Sequence, residues 1–222
     1  MENQQKMGMQ KAKINYQKKL EAVLNKLEEQ QQVPKLLLHS CCAPCSTYVI
    51  EYLSKYFYVT VFYYNPNIDE QEEYMKRSKE QKRLIEEMPT TYPVQFLEGP
   101  YEVEEYTKRA QPLREEKEGG ARCTMCYSLR LSKTAEYAKR GDFDYFTTTL
   151  SISPLKDATR LNEIGERLGQ KWGIPYLLSD FKKKEGYKRS TLLSETYGLY
   201  RQNYCGCSYS KSEVEERELK NL

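Results

Sequence analysis

Long apolar runs are missing from this chain. Its hydrophobic stretches are strand-length, far short of the roughly 20 residues a helix needs to cross a bilayer. The polar opening MENQQKMGMQKAK is followed by no apolar h-region, so a secretory signal is not expected. Charge of one sign is also lacking. Lys+Arg 35 against Asp+Glu 32 leaves a net charge of +3, which excludes indiscriminate polyanion binding but not a local basic patch. There is no internal repeat and no low-complexity linker, and histidine occurs once, as His39. The expectation is a soluble cytoplasmic protein of 222 residues with one sizeable core.

What the chain has is sulfur. Seven cysteines fall into three groups: Cys41, Cys42 and Cys45; Cys123 and Cys126; Cys205 and Cys207. In a reducing compartment, clustered thiols are more often metal ligands or catalytic groups than structural disulfides. The odd count also argues against a complete disulfide framework. The 20 tyrosines are read as packing residues, because stacking platforms need aromatics beside a basic groove.

The hydrophobic pattern alternates between helix and strand. Residues 9–32 read as a charged helix with an apolar stripe through Ile14, Leu20, Val23, Leu24 and Leu27, broken at Val33-Pro34. Residues 35–39 suit a buried parallel strand, and Pro44 opens a helix to about Lys55. A strand at 57–64 ends in Asn65-Pro66-Asn67, and a charged helix follows over 69–88. Beyond it come a strand at 94–97, helices at 101–109 and 123–140, and a strand at 145–150. A helix at 157–172, a last strand at 175–178, a helix at 187–197 and a polar tail at 208–222 complete the chain. Alternation of this kind predicts an α/β fold, a single-domain three-layer sandwich around a mainly parallel sheet. Residues 1–32 form an N-terminal helical extension, and residues 33–222 form the α/β domain.

Parallel sheets collect ligands beyond the carboxyl ends of their strands. Cys41-Cys42-Ala-Pro-Cys45 lies at such a place, where the N–H groups of a helix start favour thiolates. Cys123-Thr-Met-Cys126 is a C-x2-C at a second helix start, a spacing that brings two sulfurs within reach of one metal. Four thiolates suit tetrahedral zinc or a [4Fe–4S] cluster. Adjacent cysteines at 41–42, set in a large α/β domain, favour the cluster over a structural zinc knuckle. Cys42-Ala-Pro-Cys45 also has the form of a thioredoxin-type dithiol, against which stand Cys41, the chain length and the second C-x2-C.

Cys205-Gly206-Cys207 is of another kind. A disulfide across one residue closes a small strained ring, and such bonds are the labile ones. Gly206 provides the backbone freedom, and two further metal ligands are the alternative. His39 reads as a satisfied core histidine or as a functional group on the strand entering the site. Residues 180–189 hold five basic side chains, Lys182, Lys183, Lys184, Lys188 and Arg189, read as phosphate contacts or as a solvated face. Tyr127 and Tyr204, each beside a cysteine, are candidates for substrate contact or for packing.

The segments LLLHSCCAPC, YYNPNI, RCTMCYSLRL, TTTLSISPLKD, SDFKKKEGYKRS and YRQNYCGCSYS run in order from about Leu36 to Ser210. Together they resemble the epoxyqueuosine reductase QueH family. The resemblance implies a fold like that of the adenine-nucleotide hydrolase superfamily. It implies an oxidoreductase that converts the epoxide of epoxyqueuosine, at the wobble position of certain tRNAs, to queuosine, the last step of tRNA queuosine biosynthesis. It further implies that Cys41, Cys42, Cys123 and Cys126 ligate a [4Fe–4S] cluster and that Cys205 and Cys207 form a redox-active disulfide. Cys45 matches a position that carries aspartate in relatives and is associated there with the metal centre, which allows an additional iron. The implied partners are the tRNA and an unidentified electron donor, with no membrane. Two rivals remain: an ATP-using tRNA-modifying enzyme of the same superfamily and a zinc-bearing tRNA-binding module. Bulky thiols after the first strand, where the former needs an open phosphate loop, weigh against it.

Overall fold

The computed structural model describes residues 14–220. Four strands, β1 (Lys35–Ser40), β2 (Tyr58–Tyr63), β3 (Gln95–Glu98) and β4 (Tyr145–Thr148), form one parallel sheet in the order β3-β2-β1-β4. β1 is central, and its alternation decides the layering. Leu36 and Leu38 enter one apolar cluster and Leu37 the other, all three fully buried. Burying each such side chain is worth about 1.5–3 kcal/mol. The period of two thus commits both faces of the sheet to helices, the three-layer arrangement expected from the sequence.

Helices α1 (Tyr16–Glu29), α2 (Ala43–Leu53) and α3 (Gln71–Glu87) contribute to the Leu36/Leu38 side through Leu20, Leu24, Leu27, Val49, Ile50, Leu53 and Leu84. α4 (Val103–Ala110) runs beside α5 (Ala121–Arg140). α5 and α6 (Ala158–Trp172) cover the Leu37 face through Leu131, Ala135, Leu161 and Ile164. α7 (Gly186–Thr196) packs on α2, and α8 (Ser208–Leu219) ends the described chain. Asn15 caps α1 by accepting from the Lys18 N–H at 3.1 Å, which starts this helix at Tyr16. Residues 9–13 of that expected helix lie outside the described residues.

Two expectations are corrected. The strand at 175–178 is reduced to one parallel bridge, Phe146 to Tyr176. Phe146 donates to the Pro175 carbonyl and accepts from Leu177, but Pro175 has no N–H with which to lengthen the ladder. The polar tail at 208–222 is a helix over Ser208–Leu219, capped by the Cys207 Sγ accepting from Ser210 N–H at 3.4 Å. Only Ser210 and Val214 of this helix are buried, so an apolar stripe gives little sign of it. Polar tethers fix it instead, among them Glu213 to Arg122 at 2.8 Å and Asp69 Oδ2 accepting from Ser208 N–H at 2.9 Å.

Candidate metal and redox centre

Cys41 leaves the carboxyl end of β1, and Cys42 is the N-cap of α2 in extended backbone, with Pro44 in the first turn. A buried polar cluster holds this turn. Ser40 Oγ lies 2.7 Å from Gln81 Oε1, Ser46 Oγ lies 2.9 Å from the Cys42 carbonyl oxygen, and Asn65 Nδ2 donates to the Ser40 carbonyl at 2.9 Å. The Sγ atoms of Cys41 and Cys42 are 3.7 Å apart, and those of Cys41, Cys42 and Cys45 all fall within 4.8 Å of one another. One negative charge settles on Cys41, because the neighbouring Cys42 and Cys45 thiols donate to it and the Arg130 guanidinium attracts it. The same coupling pushes Cys42 up to about 12 and raises Cys45.

The second pair comes from α5. Cys123 accepts from the Gly119 N–H at 3.2 Å, and Cys126, one turn along the helix, is buried. Burial raises both thiols, Cys126 to about 11, while Arg130 draws Cys126 back toward ionisation. Arg130 is itself 3 % exposed. Its Nη2 donates to Asn65 Oδ1 at 2.5 Å, and its Nε lies 3.2 Å from His39 Nε2. A buried cation therefore serves Cys41 and Cys126 together. His39 Nδ1 lies 2.8 Å from Thr148 Oγ1 and Nε2 lies 3.1 Å from the Tyr64 carbonyl oxygen. Burial, then Arg130, lowers its pKa to about 3, so it is a neutral core group.

The third pair lies on the strap between α7 and α8. Cys205 and Cys207 Sγ are 3.7 Å apart across Gly206, whose φ of +120° is left-handed-region backbone suited to glycine. The Cys207 thiol donates to Cys205, and Lys156 adds its charge, so the Cys205 pKa falls to about 5 and that of Cys207 rises. Lys156 Nζ is 3.0 Å from Glu118 Oε1, and its side chain is 9 % exposed.

All seven cysteines line one cavity of about 380 Å³, together with Arg77, Arg130, Lys156, Tyr127 and Tyr204. The three groups, some 80 residues apart along the chain, converge because β1, α5 and the strap all meet at the carboxyl edge of the sheet. Tyr127 and Tyr204 are thus cavity-wall residues, and Tyr127 also belongs to the apolar cluster under α5. A wider, open cleft beside α4 and α5 carries no thiol.

The basic segment has other partners. Lys182 pairs with Asp180 at 2.9 Å, Lys184 with Glu21, Lys188 with Glu185 at 3.5 Å, and Arg189 with Glu51. None of the five lines the cavity, where Tyr187, Ser190 and Ser194 are what this part of the chain presents. Its charge therefore belongs to a solvated, ion-paired face. The cavity cations are Arg77, Arg122, Arg130, Lys156, Arg201 and Arg217, which charge counting along the chain passed over. Arg122 and Arg130 bracket the C-x2-C on the same helix, and that spacing is the signal by which the sequence could have found them. Lys156, in Ser-Pro-Leu-Lys-Asp, had no such local sign.

Comparison with known proteins follows the same residues. Residues 36–213 match the family model described as epoxyqueuosine reductase QueH. The protein of that name from Staphylococcus epidermidis is 40% identical over 212 residues, covering 94% of this chain and 89% of its own length. The one from Streptococcus pyogenes serotype M1 is 42% identical over 200 residues, covering 89% and 78%. The one from Thermotoga maritima is 34% identical over 188 residues, covering 82% and 93%. The chain belongs to the epoxyqueuosine reductase QueH family.

Proposed function

We propose that this protein reduces the epoxide of epoxyqueuosine in tRNA to the alkene of queuosine, in the reducing cytoplasm, using a [4Fe–4S] centre and a redox-active cysteine pair. The observation that carries the reading is the convergence of three separate thiol groups on one cavity wall. The donor chemistry fits the implied centre: soft sulfur ligands are gathered within 4.8 Å at Cys41, Cys42 and Cys45, with a buried cation between Cys41 and Cys126 to offset thiolate charge. Cys41, Cys42, Cys123 and Cys126 would hold the cluster, and Cys45 is the spare donor for an additional iron. When bound, the centre supplies single electrons and a Lewis-acidic iron. Among the described residues, no helix is long and apolar enough to cross a membrane.

The chain's own groups account for the rest. Turning an epoxide into an alkene and water takes two electrons and two protons. Closing Cys205 and Cys207 to a disulfide releases two of each, so atoms and electrons balance for one turnover, and an external donor reopens the pair. Arg130 keeps Cys41 charged in an apolar wall and offsets part of the burial that holds Cys126 protonated, and Lys156 favours the charged form of Cys205. The Lys156–Glu118 pair sets a fixed cation beside the same thiols. A cavity of about 380 Å³ has room for a modified base but not for a stacked strand, so the nucleotide enters extruded from its neighbours.

The test is anaerobic purification followed by iron assay and turnover of epoxyqueuosine-containing tRNA. C205S and C207S are expected to keep iron and lose turnover, whereas C123S and C126S lose the iron. A colourless protein with stoichiometric zinc, or full multi-turnover activity in C205S, refutes the reading.

A further inference from the structure

The strap over residues 197–207 carries both late thiols, yet among the described residues it has no strand partner and gives the main core one buried side chain, Leu199, with Tyr197 half-buried against it. Its fixed points come largely from one polar face of α3. Arg83 Nη2 donates to the Tyr197 carbonyl at 3.0 Å, and Glu80 Oε1 accepts from the Tyr200 N–H at 2.8 Å. Glu73 accepts from the Tyr200 hydroxyl at 3.2 Å, and Lys76 Nζ lies 3.3 Å from the centre of the Tyr200 ring. Residues 73, 76, 77, 80 and 83 recur at helical spacing, so one rigid helix sets the path of the strap.

Arg77 is the member of this face that reaches the redox turn. Its side chain is 2 % exposed, and its Nε donates to Glu73 Oε1 at 2.7 Å. Nη1 donates to the Cys205 carbonyl at 3.3 Å, where Asn67 Nδ2 is a second donor at 3.4 Å. The Tyr204 ring lies 5.1 Å from the guanidinium carbon. The turn is pressed close: a Cβ on Gly206 would stand 3.3 Å from Nη1 and 2.7 Å from Ile68 Cγ1. The same guanidinium lines the cavity with Cys42. Desolvating an arginine is costly, so a solvent-side lysine would tether a strap more cheaply. A buried, carboxylate-anchored fork aimed at one carbonyl instead buys orientation.

We propose that Arg77, held by Glu73, is the positioning residue of the Cys205–Cys207 pair: it pins the Cys205 carbonyl to α3 so that both sulfurs stay together against the cavity wall. The inference deepens the reductase reading and rests on it for its catalytic meaning. Its physical content is independent of substrate. Two thiols close to a disulfide in proportion to the time they spend in bonding geometry, so a pinned turn has a higher effective concentration than a loose one.

The test equilibrates full-length metal-free protein with reduced and oxidised glutathione, which serves as the oxidant. Closing the pair forms one S–S bond while one glutathione disulfide becomes two glutathiones. Differential alkylation and mass mapping of the peptide spanning residues 202–211, which holds only these two cysteines, reads the closed fraction. R77K keeps a cation for Glu73 but loses the fork; the R77M/E73Q double variant removes both charges if R77K folds poorly. Each is expected to lower the closure constant about tenfold, equivalent to about 30 mV for a two-electron couple, and to speed alkylation of Cys205. N67A, which leaves the ion pair intact, is expected to shift it less and in the same direction. Closure constants within twofold of wild type in folded R77K or in the double variant overturn the proposal. Failure of the wild-type protein to turn over epoxyqueuosine tRNA would sink the reductase reading alone, because the closure constant is measured without substrate.

Discussion

Replacing Arg130 with methionine separates the two things this buried cation does. The guanidinium donates to Asn65 Oδ1 at 2.5 Å and lies 3.2 Å from His39 Nε2, in a position only 3 % exposed. His39 recovers easily: with Arg130 gone, the tautomer with Nε2–H donates to the Tyr64 carbonyl at 3.1 Å, and Nδ1 accepts from Thr148 Oγ1 at 2.8 Å. Asn65 Oδ1, in a residue 1 % exposed, has no such rescue. A stranded buried acceptor costs about 1–3 kcal/mol. Methionine fills much of the same volume without the desolvation a charge requires, so the loss stays near that single acceptor's cost rather than rising to the 3–5 kcal/mol typical of a broken buried pair. The metal-free R130M protein is therefore expected to unfold in urea with a stability lower by about 1–3 kcal/mol. Its thiols should change more. Without the cation the Cys41 thiolate is less favoured, so the midpoint of its iodoacetamide labelling rate moves to higher pH, and below that midpoint a rise of one pKa unit makes labelling about tenfold slower. Peptide mapping of labelled Cys41 against pH is the assay. An unchanged Cys41 profile in folded R130M would refute the claim that Arg130 sustains the charge at the first cysteine group.

Two further outcomes are expected. His39 has its pKa lowered from 6.5 to about 3, so the folded state binds fewer protons than the unfolded one. Its stability contribution is complete above pH 6.5 and is lost as pH falls toward 3, at about 1.4 kcal/mol per pH unit. Urea titrations at pH 7 and pH 5 on metal-free protein should show H39Q losing about 2 kcal/mol less than wild type, and equal losses would contradict the assignment. At Gly206, alanine meets both a φ of +120° and an Ile68 methylene 2.7 Å away. Strain of about 1–3 kcal/mol should peel the strap from α3 locally and leave the core intact. Hydrogen exchange should rise over residues 197–207 in G206A while β1 stays protected; uniform protection would count against the strap's independence.

The layering of the fold was legible because it depends on local alternation. Leu36, Leu37 and Leu38 in succession mark a strand buried on both faces, and both faces are indeed covered. The thiol groups were legible for a related reason, since the spacings 41–42–45, 123–126 and 205–207 are short enough to be set by one turn of chain. The helix at Ser208–Leu219 was not, because polar contacts to Asp69, Glu70 and Arg122 hold it in place of an apolar stripe. The basic run at 182–189 stayed open between phosphate contacts and a solvated face, because two of its carboxylate partners, Glu21 and Glu51, are distant in the chain.

Sequence by itself determined which atoms are available here: seven sulfurs in three groups, the first two each at the start of a helix. It determined the α/β class too, since the periods of two and 3.6 are carried by neighbouring residues. Tertiary structure alone decided which charges face those sulfurs. Arg130 lies four residues from Cys126 but reaches Cys41 only because α5 crosses the end of β1, and Arg77 meets Cys205 only because the strap returns across α3. Electrostatics acts through space at a few ångströms, so it is settled when distant segments are folded together and not before.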